Sequence, residues 1–177
     1  RDFDTAPGNM LMDGWTQRHR GRTSDARGQW AFGGIPIQDL LCTLQGHDFF
    51  RRPPPKSTGR DLFNLAWLDQ RLRGDENPRD VQATLLALTA TSIAESINTY
   101  CAEAGEIYLC GGGARNDALV MRLAASLPDK RISSTQELGI AIGHVEACAF
   151  AWLAQRALAG EPGNLPSVTG ARGYRVL

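Results

Sequence analysis

A run of three glycines, Gly111 to Gly113, separates a short β-prone apolar segment from a helical one. Glycine has no Cβ, so consecutive glycines leave backbone N–H groups open to a closely approaching nucleotide. The N-terminus of the following helix adds positive potential at the same place. The Lys and Ser/Thr of a Walker loop are missing, and such a turn is often structural in α/β proteins. A nucleotide contact and a purely structural turn both remain open.

A carboxylate stands directly before a second turn near the start of the chain. Asp4 precedes Thr5-Ala6-Pro7-Gly8-Asn9, where several backbone donors can face one anion. A carboxylate beside a phosphate site suits a general base. Aspartate also commonly caps the turn that follows it. The spacing alone favours neither role.

Two more charged residues are candidates for ligand binding because of the segments in which they lie. Glu146 lies in a stretch that is apolar on nearly every side, so its carboxylate must find a partner. That partner is either the positive N-terminal end of the helix or the hydroxyl groups of a substrate. The sequence favours the helix N-terminus. Lys56 precedes Ser57-Thr58-Gly59-Arg60, where it can present a cation to an anionic ligand at a helix start. An ordinary solvated lysine before a capped helix is the more common arrangement.

Metal ligation by cysteine or histidine is not indicated. The four cysteines form no Cys-x-x-Cys pair and lie in apolar stretches, which predicts small buried hydrophobic residues. The three histidines show no ligand spacing, so we expect no zinc site and no other metal site made by these residues. These residues are Cys42, Cys101, Cys110, Cys148, His19, His47 and His144.

Composition narrows the class of protein. The 177 residues carry 19 basic and 19 acidic side chains, with a pI near 7.0, which argues against a nucleic-acid or membrane partner. Hydrophobic residues make up 42%, enough for one domain with a core. The longest apolar run, 147–154, falls far short of the ~20 residues of a membrane helix. The first residues lack the apolar region of a secretory signal, so we expect a cytoplasmic protein.

Helical periodicity predicts the elements that position these residues. Asn77 followed by Pro78 gives a cap and a first-turn proline for a long helix to about Glu103, with apolar residues on two adjacent rows. Shorter helices are predicted after the Met10–Met12 run, over Ile35 to Leu44, and from a Ser57 or Thr58 cap to Gly74.

The second half of the chain is predicted to contain a strand, a glycine turn and a helix. The strand covers 106–110, and Asn116 opens the helix, which ends at Pro128. A brief strand over 131–133 is predicted next. Ser134 and Glu137 have the spacing of a capping box, and the final helix runs from about His144 to Ala159. The pattern predicts an α/β fold.

Five ordered blocks that span nearly all of the chain resemble one family, anhydro-N-acetylmuramic acid kinase. The order of the blocks makes the match specific, whereas any one block would not. They are Phe3–Asp13, Pro54–Arg60, Cys110–Asn116, Glu146–Ala154 and Pro162–Ala171.

The resemblance implies a sugar kinase of the actin, hexokinase and Hsp70 type, with a ribonuclease-H-like fold in two halves around an ATP cleft. This chain looks like the helix-rich C-terminal half, one domain over 1–177, with the N-terminal phosphate-loop domain absent. The implied reaction uses ATP to phosphorylate the 6-oxygen of 1,6-anhydro-N-acetylmuramic acid while water opens the anhydro ring. The implied cofactors are ATP and Mg²⁺, and the implied partners are the sugar, the missing domain and a second copy in a homodimer. This C-terminal half by itself is expected to have no kinase activity.

By the same resemblance, Asp4 is the catalytic base and Glu146 and Lys56 bind the sugar. The implied phosphate ligands are Thr5, Gly8 and Asn9, and the implied nucleotide ligands are Gly111, Gly112, Gly113, Ala114 and Asn116. A non-catalytic nucleotide-binding module, or a kinase for another sugar, is the alternative.

The chain departs from the family pattern at two positions that bear on these roles. Ala6 stands where glycine is usual, which would cost roughly 1 kcal/mol if that position needs a positive φ. Gly143 stands where an acidic residue usually caps the final helix, which puts the start of that helix in doubt.

Overall fold

The computed structural model describes residues 3–176. Helices dominate, and two short strands form a small parallel sheet, which confirms the α/β class. The α-helices are α1 (Met10–Arg20), α2 (Gln29–Phe32), α3 (Gln38–Gln45), α4 (Asp48–Arg51), α5 (Leu65–Asp69), α6 (Pro78–Tyr100), α7 (Asp117–Ser126), α8 (Val145–Leu158) and α9 (Pro166–Thr169). The strands are β1 (Glu106–Leu109) and β2 (Arg131–Ser134), and 3-10 turns occupy Ala26–Gly28, Gly112–Arg115 and Thr135–Leu138.

Helix α6 is the centre of the fold, which agrees with the apolar residues on two adjacent rows of its sequence. Its Asn77 cap accepts a hydrogen bond from the Arg79 N–H at 2.9 Å, and every residue from 81 to 90 is buried. Helices α1, α2, α3 and α7 pack around it. The amide nitrogen of buried Gln82 is paired, since it donates to the Thr16 hydroxyl at 3.1 Å, whereas the side-chain oxygen of Gln82 has no hydrogen-bond partner among the described residues. This hydrogen bond offsets part of the free-energy cost of burying the amide in the core.

The strand, glycine turn, helix and second strand are confirmed. Strands β1 and β2 pair in parallel, with Leu109 opposite Ser134, and α7 crosses between them against α6. Parallel neighbours need such a crossover because a tight hairpin cannot return the chain in the same direction. The glycine turn therefore lies at the carboxyl end of the sheet.

Two predicted caps are wrong. Helix α5 is a single short helix capped by Asn64, whose side chain accepts from the Trp67 N–H at 2.9 Å, so neither Ser57 nor Thr58 begins a helix. Those two residues instead donate hydrogen bonds to the carboxylate of Asp4, far away in the sequence. Ser134 makes no cap hydrogen bond, and only a 3-10 turn follows it.

The prediction that the cysteines are buried is also wrong. All four are exposed in this chain. Cys148 lies on α8, a helix in which no residue is buried. An apolar neighbourhood in sequence predicts burial only when another element packs over it.

No helix within residues 3–176 combines the length and the apolar character needed to cross a bilayer.

Candidate functional site

Asp4 is held by a loop that lies more than fifty residues away in the sequence. Its Oδ2 accepts two hydrogen bonds, one from the Ser57 hydroxyl and one from the Thr58 backbone N–H, each 2.8 Å long. Its own N–H donates to the Lys56 carbonyl at 3.0 Å. Among the described residues, the hydrogen-bond partners of this carboxylate lie in that loop and not in the turn that follows Asp4. The turn-cap alternative is therefore not what the structure shows.

A cavity of about 360 Å³ opens beside this carboxylate. Its lining consists of Phe3, Asp4, Pro55, Lys56 and Ser57. Within residues 3–176, no donor contacts the second carboxylate oxygen, Oδ1, and Asp4 is only partly exposed. An anchored carboxylate with one oxygen available beside a cavity is the arrangement that a general base requires.

Lys56 lies next to Asp4, but its ammonium already has partners. The Nζ donates to the carbonyls of Phe49 at 3.1 Å and Phe50 at 3.3 Å. It also lies 4.8 Å from the centre of the Phe49 ring, at cation–π distance. Burial lowers the pKa of Lys56. An ammonium has three donors, so one remains for a ligand after these two bonds.

The turn after Asp4 is fastened to the central helix. The Gly8 carbonyl accepts a hydrogen bond from the Thr89 hydroxyl at 3.2 Å, and Gly8 itself has a φ of 59°. Ala6 is not among the described residues with positive φ, so alanine causes no left-handed strain there. Thr5 lines a second, smaller cavity with Lys56. The loss of the family glycine therefore leaves this turn intact.

The side chain of Asn9, at the end of this turn, lies close to the glycine turn. A Cβ built on Gly112 would lie 3.2 Å from the Asn9 side-chain nitrogen, and one on Gly113 would lie 3.7 Å from both side-chain polar atoms. Asn9 makes no cap hydrogen bond to α1, so its amide is not used in that helix. The structure thus brings together two loops that the sequence separates by about a hundred residues.

The glycine turn adopts a backbone conformation that explains its composition. Gly111 has φ 71° and ψ −167°, a region occupied almost only by glycine. Its N–H donates to the Ile142 carbonyl at 2.9 Å. Asn116 then caps α7 by accepting from the Leu119 N–H at 3.1 Å, and Ala114 lies between them within the 3-10 turn.

A cleft of about 360 Å³ lies between the two loops. Three residues of its lining were predicted from the sequence as phosphate or nucleotide ligands: Asn9, Gly112 and Asn116. The remaining lining residues are Met12, Asp13, Ser24, Asp25, Ala26, Arg27 and Arg115. Sequence reasoning did not identify this second group. Asp13 had a usable signal, because it follows Asn9 by four residues and so shares its face of the helix.

The cleft wall carries opposite charges in fixed positions. The two Asp25 oxygens accept hydrogen bonds from the backbone N–H groups of Trp30 and Ala31 in α2, at 2.9 Å each. Burial raises the pKa of the Asp13 carboxyl, and the negative charge of Asp25 raises it further. Arg27 is paired with Asp117 at 2.5 Å. Within residues 3–176, no three His, Cys, Asp or Glu side chains converge as metal ligands.

Glu146 does not join these residues. It lies exposed in the first turn of α8 and lines neither the cavity beside Asp4 nor the cleft. This position places the carboxylate at the positive end of the helix dipole, which is the interpretation that the residues alone favoured. Helix α8 begins at Val145 without a side-chain cap, as expected from Gly143.

Comparison with known proteins gives one consistent result. The family model described as "Anhydro-N-acetylmuramic acid kinase" matches residues 1–177. A protein of that name from Nitrosomonas europaea is 54% identical over 175 residues, which cover 99% of this chain and 48% of that protein. Relatives of the same name from Nitrosospira multiformis and Ralstonia nicotianae are each 50% identical, over 99% of this chain and 48% and 47% of their own lengths. The chain thus spans about half the length of the curated relatives it matches.

Proposed function

This chain belongs to the anhydro-N-acetylmuramic acid kinase family, and from that premise we propose that it supplies the catalytic base and the second phosphate turn of such a kinase. In this proposal it is one domain, the C-terminal half of a ribonuclease-H-like fold. The single observation that carries the proposal is the anchored Asp4, with one oxygen available beside a cavity and with the turn over Thr5–Asn9 directly after it.

In the proposed reaction, Asp4 takes a proton from a water molecule, and the water oxygen attacks the anomeric carbon of 1,6-anhydro-N-acetylmuramic acid. The bond from that carbon to the 6-oxygen breaks, and its electron pair stays on the 6-oxygen. That oxygen attacks the γ-phosphorus of ATP, and the bond to the β-phosphate oxygen breaks. The products are N-acetylmuramic acid 6-phosphate and ADP, and the proton on Asp4 is released to solvent. This chemistry suits recycling of the bacterial cell wall.

The two facing loops support a place for ATP. We assign the phosphates to Thr5, Gly8 and Asn9, and the adenosine side to the glycine turn with Ala114 and Asn116. The contact between Asn9 and the glycine turn supports this assignment, since one extended ligand can reach both loops from the cleft. Mg²⁺ would neutralise the phosphates, and oxygen donors such as the Asp13 carboxylate in the cleft wall suit that hard cation.

Helix α8 supports the proposal that a further domain completes the enzyme. Eleven of its 14 residues are apolar, yet none is buried, and Phe150 is 70% exposed. A helix that is apolar on nearly every side is stable when other elements surround it. The N-terminal half of a family protein is the partner we propose for this surface. In that assembly Glu146 and Lys56 are the proposed sugar ligands, and a homodimer is the proposed oligomer.

The test joins this chain to the N-terminal half of the Nitrosomonas europaea relative and measures sugar phosphorylation. Asp4→Asn removes the proton acceptor but keeps the shape, so turnover is expected to fall below detection while ATP affinity stays within about twofold. Asp39→Asn, at an exposed position on α3, is the matched control and should keep full turnover. Full turnover of the Asp4→Asn protein would remove Asp4 from the reaction, and a parent fusion that folds but does not phosphorylate the sugar would refute the proposed function.

A further inference from the structure

We propose that Ser57 is a positioning residue for Asp4, and that Oδ1 of Asp4 is the oxygen that takes the proton. The inference rests on the proposed function, since it assigns a task to a neighbour of the proposed base. Ser57 does not contact the reacting atoms in this proposal. It acts only by fixing the carboxylate.

The first support is the way the donors are distributed over the carboxylate. The Ser57 hydroxyl and the Thr58 N–H both donate to Oδ2, at 2.8 Å each. Each carboxylate oxygen offers about two lone-pair directions, so these two donors occupy Oδ2. No donor from the described residues occupies Oδ1. A water molecule in the adjacent cavity therefore finds its acceptor at Oδ1.

The second support is that three hydrogen bonds fix the orientation of Asp4 from one side. The backbone bond from Asp4 N to the Lys56 carbonyl, 3.0 Å long, adds to the two side-chain bonds. One of the three, from Ser57, depends on a side chain and can be removed by mutation. Hydrogen bonds to a charged acceptor are among the stronger ones in proteins, so its loss should be measurable.

The third support is that the donor loop is itself anchored to the core. Lys56 holds the carbonyls of Phe49 and Phe50, and both rings pack on buried Phe63, at centroid distances of 5.3 and 5.5 Å. Phe49 and Phe63 are almost completely buried. Ser57 thus projects from a segment with little freedom to move, which is what positioning a base requires.

The experiment uses the fusion described above and compares Ser57→Ala with Ser57→Thr. Ser57→Ala removes the side-chain donor but leaves the Thr58 bond, so kcat is expected to fall about tenfold to a hundredfold, with the KM for ATP within about twofold. Ser57→Thr restores a hydroxyl and should recover kcat to within about threefold of the parent. Ser126→Ala, which removes an exposed serine hydroxyl from α7, is the matched control and should behave as the parent.

The outcomes separate this inference from the proposed function. A parent fusion without kinase activity refutes the function itself. An active parent with Ser57→Ala at parental kcat overturns the role of Ser57 and leaves the function standing. A Ser57→Thr protein as slow as Ser57→Ala also overturns it, because a hydroxyl at position 57 would then not be what sustains kcat. Circular dichroism and the melting temperature of each variant show that folding is unchanged when kcat falls.

Discussion

Gly28 lies so close to Asn116 that a Cβ on Gly28 would stand 2.0 Å from the Asn116 side-chain oxygen. That oxygen caps α7 immediately after the glycine turn. The same Cβ would stand 2.8 Å from the Ala118 side chain. The N-terminus of α7, which follows the proposed nucleotide loop, therefore packs directly against the backbone of Gly28, about ninety positions earlier in the sequence.

We predict that Gly28→Ala is strongly destabilising, because the methyl group would displace the Asn116 cap as well as strain a φ of 70°. Gly21 is a matched control, since its φ is 64° and no atom lies near a Cβ built there. Gly21→Ala should cost about 1 kcal/mol of unfolding free energy, and Gly28→Ala about 3 kcal/mol or more. Urea unfolding of the two variants measures the difference. Equal losses of unfolding free energy in the two variants would mean that the close approach of Gly28 to Asn116 does not add to the cost of the substitution.

A second prediction separates the structural role of Lys56 from its proposed role in sugar binding. Lys56→Met removes two hydrogen bonds to carbonyls and should lower the free energy of unfolding by about 1–3 kcal/mol. Lys130 offers a matched control, because its Nζ also donates to two carbonyls, those of Ala102 and Ala104, far from Asp4 in sequence. Lys130→Met should lose comparable stability.

The two lysine variants should differ in the fused enzyme. Only Lys56→Met is expected to raise the KM for the sugar, by about tenfold, because only that ammonium lines the cavity beside Asp4. Steady-state kinetics at saturating ATP measure this. If both variants keep the parental KM, Lys56 is solely a structural residue.

The third prediction concerns pH. Burial and the charge of Asp25 raise the folded-state pKa of Asp13 above its ordinary value of 3.8. A raised pKa means that ionisation of Asp13 disfavours the folded state, so its contribution to stability is present at acid pH and is lost as the pH rises through the folded pKa. Asp13→Asn should therefore raise the melting temperature at neutral pH and leave it unchanged below pH 3.8.

The matched control for that experiment is Asp39→Asn, at an exposed carboxylate on α3. It should leave the melting temperature nearly unchanged at both pH values. An Asp13→Asn protein that is less stable than the parent at neutral pH would show that the ionised carboxylate has a stabilising partner.

The fourth prediction concerns helix α8. Phe150 and Trp152 are 70% and 49% exposed, so the chain alone is expected to self-associate through this apolar helix. Replacing both with serine should shift the chain toward monomer in sedimentation and should weaken its association with a separately produced N-terminal half. Met121→Ser, at a residue on α7 that is 58% exposed, is the control and should change neither property. Association of the serine variant at parental strength would place the interface elsewhere.

Local signals determined much of the fold in advance. Asn77 and Pro78 marked the start of α6, and the pattern of strand, glycines and Asn116 predicted β1, the turn and α7. Caps and turns depend on residues within about four positions of one another, so a linear sequence contains what is needed to predict them. Where a distant partner competes for the same side chain, as Asp4 does for Ser57, the local prediction of a helix cap is wrong.

By itself, then, the sequence determined the family, the order of the elements and the identity of Asp4 as a candidate base. Only the tertiary structure decided that Ser57 and Thr58 hold this carboxylate, that Asn9 meets the glycine turn, and that Asp13 lines the cleft between them. The physical reason is that a charged or polar side chain takes whichever partner the packing of distant elements brings within about 3 Å. That distance depends on how segments far apart in the sequence pack together, and no spacing along the chain encodes it directly.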